Sequence, residues 1–267
     1  MLEEKITLVI HSCDKFSDLW DAHITLLNRN WADRTVKTLL VTDTQTDKHY
    51  ENVTILPTGD SKELSERTEA MLAHIDTKFV LVTLDDYFPV FPIDSEKIER
   101  VVKIMEKEDL DYVRLYLRPK YKRRDRWTEY SNFYHIDTTR NYSVNLYVGI
   151  WKKTFIGKTI HKPPLNAWDY EVSLTKIAHE VGARCAVSLN HEFEILDVVR
   201  KGKILNKANR YLKENDLYHG NRPVISRMYE IKLAIRTWGI RMMPRCITNL
   251  ARKIMTRLGH SYYSQGI

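Results

Sequence analysis

The chain has 267 residues, a formal net charge of +7, 43% hydrophobic residues and three cysteines. This length supports one domain with an appendage and a sizeable buried core. No apolar run approaches the ~18 residues that a membrane-spanning helix needs, and we expect no signal peptide. Three widely separated cysteines argue against a disulfide framework or a zinc site and favour a reducing, cytoplasmic compartment.

The positive charge is concentrated at the end of the sequence. Residues 222–267 contain nine lysines and arginines against one acid, Glu230, and therefore carry +8, which leaves residues 1–221 at −1. A nucleic-acid-binding domain needs a basic surface of its own. We therefore expect a nearly neutral domain over 1–221, with no nucleic-acid partner, and a basic tail over 222–267.

The first third of the chain alternates short apolar runs with amphipathic segments. Short apolar, β-branched runs are typical of buried strands, and apolar spacings of three and four are typical of helices. The predicted elements are strands over 5–12, 36–42, 53–56 and 79–84 and helices over 18–27 and 64–75. This alternation predicts an α/β fold with a mainly parallel central sheet flanked by helices.

The next part of the chain continues this alternation with one polar interruption. The predicted elements are a helix over 95–108, a helix that opens in the segment 163–171 and runs to about 181, strands over 112–117, 143–151 and 184–188, and a basic turn at 198–203 before a short helix. The interruption at 118–137 is polar and aromatic. It is either a solvated excursion or a flap over an acceptor.

Two adjacent carboxylates follow the strand predicted over 79–84. Asp85 and Asp86 come directly after Leu84, and ligands of open α/β sheets bind beyond the carboxyl ends of the strands. Carboxylate oxygens suit a divalent cation that is shared with substrate phosphates. The alternative is a plain turn, because Asp readily bonds to nearby backbone groups. The glycine motifs of dinucleotide sites and P-loops do not occur in the sequence.

A second acidic pair lies at the predicted start of the helix that opens in the segment 163–171 and runs to about 181. Asp169 and Glu171 stand beside Trp168 in its first turn. The helix dipole stabilises acids there whatever their function. The functional alternative is a general base in an aromatic pocket, where desolvation raises the pKa of a carboxylate.

The tail has a helical repeat of apolar residues. Val224, Met228, Ile231 and Ile235 begin this repeat, and lysines and arginines occupy most of the other side. The pattern suits either an interfacial helix on anionic lipid, over 222–258, or a terminal helix pair packed on the body.

Seven short segments occur in a recognisable order between residues 5 and 212. They are His11-Ser12-Cys13-Asp14, the segment around Trp31, Leu64-Ser65-Glu66-Arg67, Leu84-Asp85-Asp86-Tyr87-Phe88, Gly149-Ile150-Trp151-Lys152-Lys153, Asn166-Ala167-Trp168-Asp169-Tyr170-Glu171 and Val198-Val199-Arg200-Lys201-Gly202-Lys203. In this order they resemble bacterial GT-A-type glycosyltransferases of capsule, O-antigen and other surface-polysaccharide loci. The acidic segment stands where that family has an Asp-x-Asp metal site, although here no residue separates the two aspartates.

The resemblance implies transfer of a sugar from a nucleotide-diphosphate donor, for which we favour a UDP-sugar, to a hydroxyl of a glycan or polyprenyl-diphosphate-linked acceptor. In an inverting reaction, which we favour, Glu171 would take the acceptor proton, with Asp169 as second choice. Asp86, with Asp85 beside it, would hold Mn²⁺ or Mg²⁺. The implied donor contacts are His11, Asp14, Arg67, Asp85, Asp86, Lys201 and Lys203, and the implied acceptor contacts are Trp151, Trp168 and Tyr170.

Two further expectations concern Arg67 and the basic tail. For Arg67, a plain surface salt bridge is the alternative to a donor contact. The basic tail fits an acceptor on a lipid carrier, which would place the protein at the inner face of the cytoplasmic membrane.

Three other functions stay open. A non-catalytic nucleotide-sugar or polysaccharide-binding protein would use the same fold without turnover. A nucleic-acid-binding protein would use the basic tail, and its affinity would fall steeply with salt. A nucleotidyltransferase would release pyrophosphate rather than a nucleoside diphosphate.

Overall fold

The computed structural model describes residues 1–44, 47–60, 63–119, 121, 125–231 and 235. The chain divides into two compact units, Met1–Leu196 and a second that begins at Asp197. Most of the predicted tail lies outside the described residues, so the predicted division after residue 221 stays a prediction. Within the described residues, no helix is both long and apolar enough to cross a membrane.

A central sheet organises the first unit. The strands are β1 (Ile6–His11), β2 (Thr38–Thr42), β3 (Thr54–Pro57), β4 (Phe79–Leu84), β5 (Tyr87–Pro89), β6 (Tyr112–Arg114), β7 (Phe133–His135), β8 (Gly149–Lys152), β9 (Cys185–Ser188) and β10 (Ile195–Asp197). The helices are α1 (Trp20–Asn30), α2 (Leu64–Leu72), α3 (Ser95–Lys107), α4 (Lys153–Lys158) and α5 (Ala167–Glu180). Among the described residues, the sheet has eight strands in the order β3-β2-β1-β4-β8-β6-β9-β7.

The strand directions make this sheet mainly parallel. The neighbours β3, β2, β1 and β4 run parallel. β8 is antiparallel to both β4 and β6, β9 is parallel to β6, and β7 is antiparallel to β9. With helices packed on both faces, this arrangement confirms the predicted α/β fold.

Each face of the sheet has its own hydrophobic core. Ile6, Leu8 and Ile10 of β1 pack in one core with residues of α1 and α3. Val9 packs in the other with residues of α2, α4 and α5. Successive side chains of a strand point to opposite faces, so a strand covered on both sides is apolar throughout. This explains why β1 is buried along its whole length.

The parallel register brings the carboxyl ends of three strands to one edge of the sheet. His11, at the end of β1, pairs with Val41 of β2 and Leu84 of β4. Just beyond the strands, the Asp85 N–H donates to the His11 carbonyl at 3.1 Å. The loop after β1 and the acidic turn are therefore neighbours, as the sequence predicted.

The strand predicted over 143–151 is wrong in its first part, because β8 begins only at Gly149. Ser143 and Asn145 are polar yet buried, and side chains rather than a strand ladder hold their segment. The Arg114 guanidinium, for example, donates to the Ser143 carbonyl at 2.7 Å. A sequence pattern of alternating residues does not reveal such side-chain support.

The second unit begins with a tight basic hairpin. It consists of β11 (Val199–Arg200) and β12 (Lys203–Ile204), and α6 (Asn206–Glu214) follows. The turn residues Lys201 and Gly202 have φ values of 51° and 73°. Positive φ at both positions is the geometry of a type I′ turn, which joins two strands by two residues. The basic turn predicted at this point is confirmed.

Candidate functional site

The first part of the site is the turn that joins β4 to β5. Asp85, in this turn, is only 6% exposed, and its carboxylate accepts a hydrogen bond from the Ser12 hydroxyl. The Trp20 indole N–H donates to the same hydroxyl at 2.6 Å, and His23 Nδ1 donates to the Asp85 carbonyl at 3.0 Å. Asp85 is thus anchored in a buried network that joins the loop after β1 to helix α1.

Asp86 follows in the same turn but is half-buried. Asp86 is therefore more exposed to solvent than Asp85. Among the described residues, no group of three or more His, Cys, Asp or Glu side chains is arranged to hold a metal ion. The turn supplies two adjacent carboxylates, and Mg²⁺ is usually bound by one or two carboxylates while substrate phosphates and water complete its shell.

A buried ion pair ties helix α2 to the same edge. Arg67 is 8% exposed, and its Nη1 lies 2.7 Å from Oδ1 of Asp43, the residue after β2. The Asp43 carboxylate also accepts from the Asp14 N–H at 3.1 Å. The Asp14 carboxylate in turn accepts from the N–H and hydroxyl of Thr44. Arg67 is therefore in a salt bridge, but a buried one that fixes the loops after β1 and β2.

Burial sets the charge states beside this ion pair. Desolvation, with a smaller contribution from the Arg67 charge, lowers the pKa of His11 to about 3, so His11 is neutral at neutral pH. Desolvation raises the pKa of the Cys13 thiol, and the Asp85 and Asp43 carboxylates raise it further. Cys13 is therefore a thiol at neutral pH, which argues against a nucleophilic role.

The second acidic pair lies at the start of α5, where the two carboxylates differ. The Asn166 side chain caps the helix by accepting from the N–H groups of Trp168 and Asp169, both at 3.0 Å. Asp169 is exposed and accepts from the Asn166 amide at 2.7 Å. Glu171 is half-buried, accepts from the Leu146 N–H at 3.3 Å, and has its pKa raised by desolvation.

The three predicted acceptor contacts have unequal access to solvent. Trp168 is 64% exposed, whereas Trp151 and Tyr170 are each 3% exposed. The Trp151 ring packs against Tyr112 and Phe155, and Tyr170 packs in the same core. Trp151 and Tyr170 are therefore buried in this structure and Trp168 is exposed, and the predicted acceptor contacts of all three residues stay predictions.

The hairpin lysines lie in the second unit. Lys201 and Lys203 are both exposed, in the turn and at the first position of β12. Their predicted contact with a diphosphate stays a prediction.

Sequence reasoning missed four residues that shape the site. Asp43 ends the second predicted strand, so the rule that strand carboxyl ends gather at one edge would have found it. Ser12 was part of a recognised segment but had no assigned role. Trp20 and His23 lie on the buried face of α1, where their spacing of three reads as ordinary helix packing, so the sequence carries no separate signal for them.

Comparison with known proteins shows likeness in structure and not in sequence. No protein-family model matches the chain, and no curated protein matches it. Three solved structures illustrate the structural matches. The mannosyltransferase PcManGT from Pyrobaculum calidifontis, in complex with GDP-Man and Mn²⁺, is 14% identical with a TM-score of 0.50, and the match covers 82% of this chain and 66% of that chain. S. aureus TarS in complex with UDP-GlcNAc is 12% identical with a TM-score of 0.47, and the match covers 75% of this chain and 60% of that chain. A cytidylyltransferase from Leptospira borgpetersenii is 10% identical with a TM-score of 0.43, and the match covers 81% of this chain and 98% of that chain.

The match to the mannosyltransferase bears on the fold alone. The chain spans less than two thirds of the TarS chains that it matches, 36% in one structure and 60% in the UDP-GlcNAc complex. The likeness to the mannosyltransferase, at a TM-score of 0.50, agrees with the sheet and its flanking helices. The chain has a GT-A-like α/β fold.

Proposed function

We propose that this protein is a glycosyltransferase, which moves a sugar from a nucleotide-diphosphate sugar to a hydroxyl group of an acceptor. The observation that carries the proposal is the Asp85–Asp86 turn at the carboxyl-terminal edge of a GT-A-like sheet. Ligands of open α/β sheets bind at that edge. As in the sequence-based expectation, we favour a UDP-sugar as the donor.

The donor site would be formed by the loops after β1, β2 and β4. Asp86, with Asp85 fixed behind it by Ser12, would hold Mn²⁺ or Mg²⁺ at the diphosphate. A cation bound there would neutralise the charge that develops on the leaving diphosphate. His11 and Asp14 would face the nucleoside, while the buried Arg67 keeps their loop in place.

Glu171 would act as the general base of an inverting transfer. A carboxylate with a raised pKa is a stronger base than an exposed one, and desolvation raises the pKa of Glu171. Asp169 is the second choice, because it is exposed and bonded to the capping Asn166. Trp168, at the same helix start, would contact the acceptor.

The acceptor would be a glycan or a polyprenyl-diphosphate-linked sugar of surface-polysaccharide biosynthesis, such as capsule. Support comes from the start of the tail, where Met228, Ile231 and Ile235 are 68%, 55% and 63% exposed. Residues 222–267 contain nine basic residues against one acid. Exposed apolar residues among basic ones favour the surface of an anionic membrane, so the protein would work in the cytoplasm, peripheral to the inner face of the cytoplasmic membrane.

The direct test incubates the purified protein with a panel of nucleotide sugars, with and without Mn²⁺. We expect slow release of a nucleoside diphosphate from one donor, and loss of that release in Asp86→Ala. Lack of release and of calorimetric binding with every donor would contradict the proposal. Binding of a donor without turnover, even with acceptors supplied, would favour the binding-protein alternative instead.

Two further outcomes separate the remaining alternatives. Release of pyrophosphate from a nucleoside triphosphate would identify a nucleotidyltransferase. Binding of DNA or RNA with a steep dependence on salt would favour the nucleic-acid-binding alternative.

A further inference from the structure

Three tyrosine rings join the two acidic pairs of the candidate site. Tyr87 and Tyr147 are stacked, with ring centroids 5.4 Å apart and an interplanar angle of 18°. Tyr116 lies on the Tyr147 ring at 4.5 Å and 33°. We call Tyr87, Tyr116 and Tyr147 the tyrosine stack. All three residues are partly exposed, so the stack reaches solvent.

The position of the stack follows from its neighbours in the chain. Tyr87 comes directly after Asp86, the half-buried carboxylate of the acidic turn. Tyr147 comes directly after Leu146, whose N–H donates to Glu171 Oε1 at 3.3 Å. The stack therefore connects the proposed diphosphate site to the segment that holds the proposed base.

The backbone that presents two of these rings is held by two buried side chains, those of Arg114 and Asn145. Arg114 is 2% exposed. Its Nε donates to the Tyr116 carbonyl at 2.9 Å, and its Nη1 donates to the Ser143 carbonyl at 2.7 Å. The Asn145 side chain then accepts from the Tyr147 N–H at 3.1 Å. Binding surfaces work best when such hydrogen bonds hold them in place before the ligand arrives.

The chemistry of the rings indicates what they bind. Tyrosine offers a large apolar face together with a polar hydroxyl, and sites for small molecules are lined by aromatic side chains with a few polar groups that fix orientation. A sugar ring has the same mixed character, with C–H groups on its faces and hydroxyls at its edge. In a transfer reaction, sugar rings lie between the leaving diphosphate and the base.

We infer that the tyrosine stack is the surface on which a sugar ring of the substrates lies. The inference rests on the proposed function and deepens it. The ring belongs either to the transferred sugar of the donor or to the acceptor sugar, and the chemistry of contact is the same in both cases.

The test compares Tyr147→Ala with Tyr147→Phe, which keeps the ring, and with Phe91→Ala. Phe91 is 54% exposed and comes after β5 in the chain, whereas the acidic turn comes before that strand, so Phe91→Ala serves as a control loss of an exposed aromatic ring. Calorimetry measures the Kd of UDP, of GDP and of the nucleotide sugar that the wild type uses. A second assay measures the KM for a panel of methyl glycosides as acceptors.

We expect Tyr147→Ala to raise either the Kd of the nucleotide sugar or the KM of the methyl glycosides by about tenfold. A change of that size corresponds to the loss of one well-formed aromatic contact. A weaker Kd for the nucleotide sugar, with the Kd of the nucleoside diphosphate unchanged, assigns the stack to the donor sugar. A higher KM for the methyl glycosides, with donor binding unchanged, assigns it to the acceptor sugar. Phe91→Ala should stay within about twofold of the wild type, and Tyr147→Phe, which keeps the ring, should retain most of the binding that Tyr147→Ala loses.

Two results would overturn the inference alone. One is a Tyr147→Ala protein that matches the wild type in every constant. The other is an equal loss of binding for the nucleoside diphosphate and the nucleotide sugar. If Tyr147→Ala does not fold, as judged by its thermal melt, Tyr116→Ala gives the same test at a neighbouring ring of the stack. A wild-type protein that binds no nucleotide sugar would instead overturn the proposed function itself.

Discussion

The two acidic pairs have the same residue chemistry but opposite environments. In the turn after β4, Asp85 is buried and bonded to the loop after β1, while Asp86 is half-buried. At the start of α5, Asp169 is exposed and bonded to the helix cap, while Glu171 is shielded and its pKa is raised. In each pair, one carboxylate supports the structure and we assign the chemistry to the other. The surroundings, and not the residue type, decide which carboxylate supports the structure and which one is assigned to the chemistry.

The largest expected effect separates the two acids of α5. Glu171→Gln keeps the shape of the side chain but removes the base, so we expect the transfer rate to fall by about 10³-fold. Asp169→Asn should change it little. Since desolvation raises the pKa of Glu171 above the ordinary 4.5, the wild-type rate should rise with pH along a limb centred above that value. Equal losses of rate in Glu171→Gln and Asp169→Asn would break the distinction between the two acids.

The second prediction concerns how folding stability changes at acid pH. His23, beside the acidic turn, and Glu171, at the start of α5, change it in opposite directions. Burial lowers the pKa of His23, which bonds to Asp85, from 6.5 to about 4. Below pH 6.5 the unfolded chain takes up a proton that the folded His23 does not, so this contribution to stability is present above pH 6.5 and is lost as the pH falls towards 4. The loss is on the order of 3 kcal/mol. The raised pKa of Glu171 acts in the other direction, because its neutral form favours folding at low pH.

Denaturant unfolding at several pH values checks this prediction. The free energy of unfolding should fall between pH 6.5 and about 4, and His23→Gln should reduce that fall but leave the part that comes from His11, whose pKa is also lowered by burial. An unchanged slope in His23→Gln would show that other groups control acid stability.

The third prediction compares the two acids of the turn. Asp85→Ala removes the buried acceptor of the Ser12 hydroxyl, and loss of a hydrogen bond to a charged group costs about 2 kcal/mol. Asp86→Ala should cost less than about 1 kcal/mol, because Asp86 is partly exposed. Urea unfolding of both variants measures the difference. A larger cost for Asp86→Ala would reverse the assigned roles.

The smallest expected effect concerns the cap of α5. Asn166→Ala removes the acceptor for the N–H groups of Trp168 and Asp169, and loss of such a cap costs about 1 kcal/mol. Asn166→Ser keeps a capping acceptor without adding a negative charge beside Asp169 and should restore most of this stability. If both variants lose the same stability, the cap does not account for the start of α5.

The sheet and its acidic edge could be predicted because they depend on local patterns. Apolar runs such as Phe79–Leu84 predict buried strands, and parallel strands bring residues after their carboxyl ends together. The position of Asp85 and Asp86 therefore followed from the sequence. Their difference in burial did not, because it depends on Ser12, which meets the turn only after folding.

The acceptor side could be predicted less well. Trp151 and Tyr170 stand in recognised segments, yet both side chains pack in the core. An aromatic residue in a strand or helix reads the same whether it faces the core or a ligand. The tyrosine stack also escaped the sequence, since Tyr87, Tyr116 and Tyr147 are far apart in the chain and the 143–148 segment is held by side chains.

The most direct test of the donor site is calorimetric titration of the wild type and Asp86→Ala with UDP and with GDP, each with and without Mn²⁺. We expect the wild type to bind one of these nucleotides much more tightly with Mn²⁺ than without it. Asp86→Ala should lose this Mn²⁺-dependent increase in affinity but melt at the same temperature as the wild type. Asp169→Asn serves as the control and should bind as the wild type does. Equal Mn²⁺-dependent binding by the wild type and Asp86→Ala would contradict the assignment of the acidic turn to the donor diphosphate.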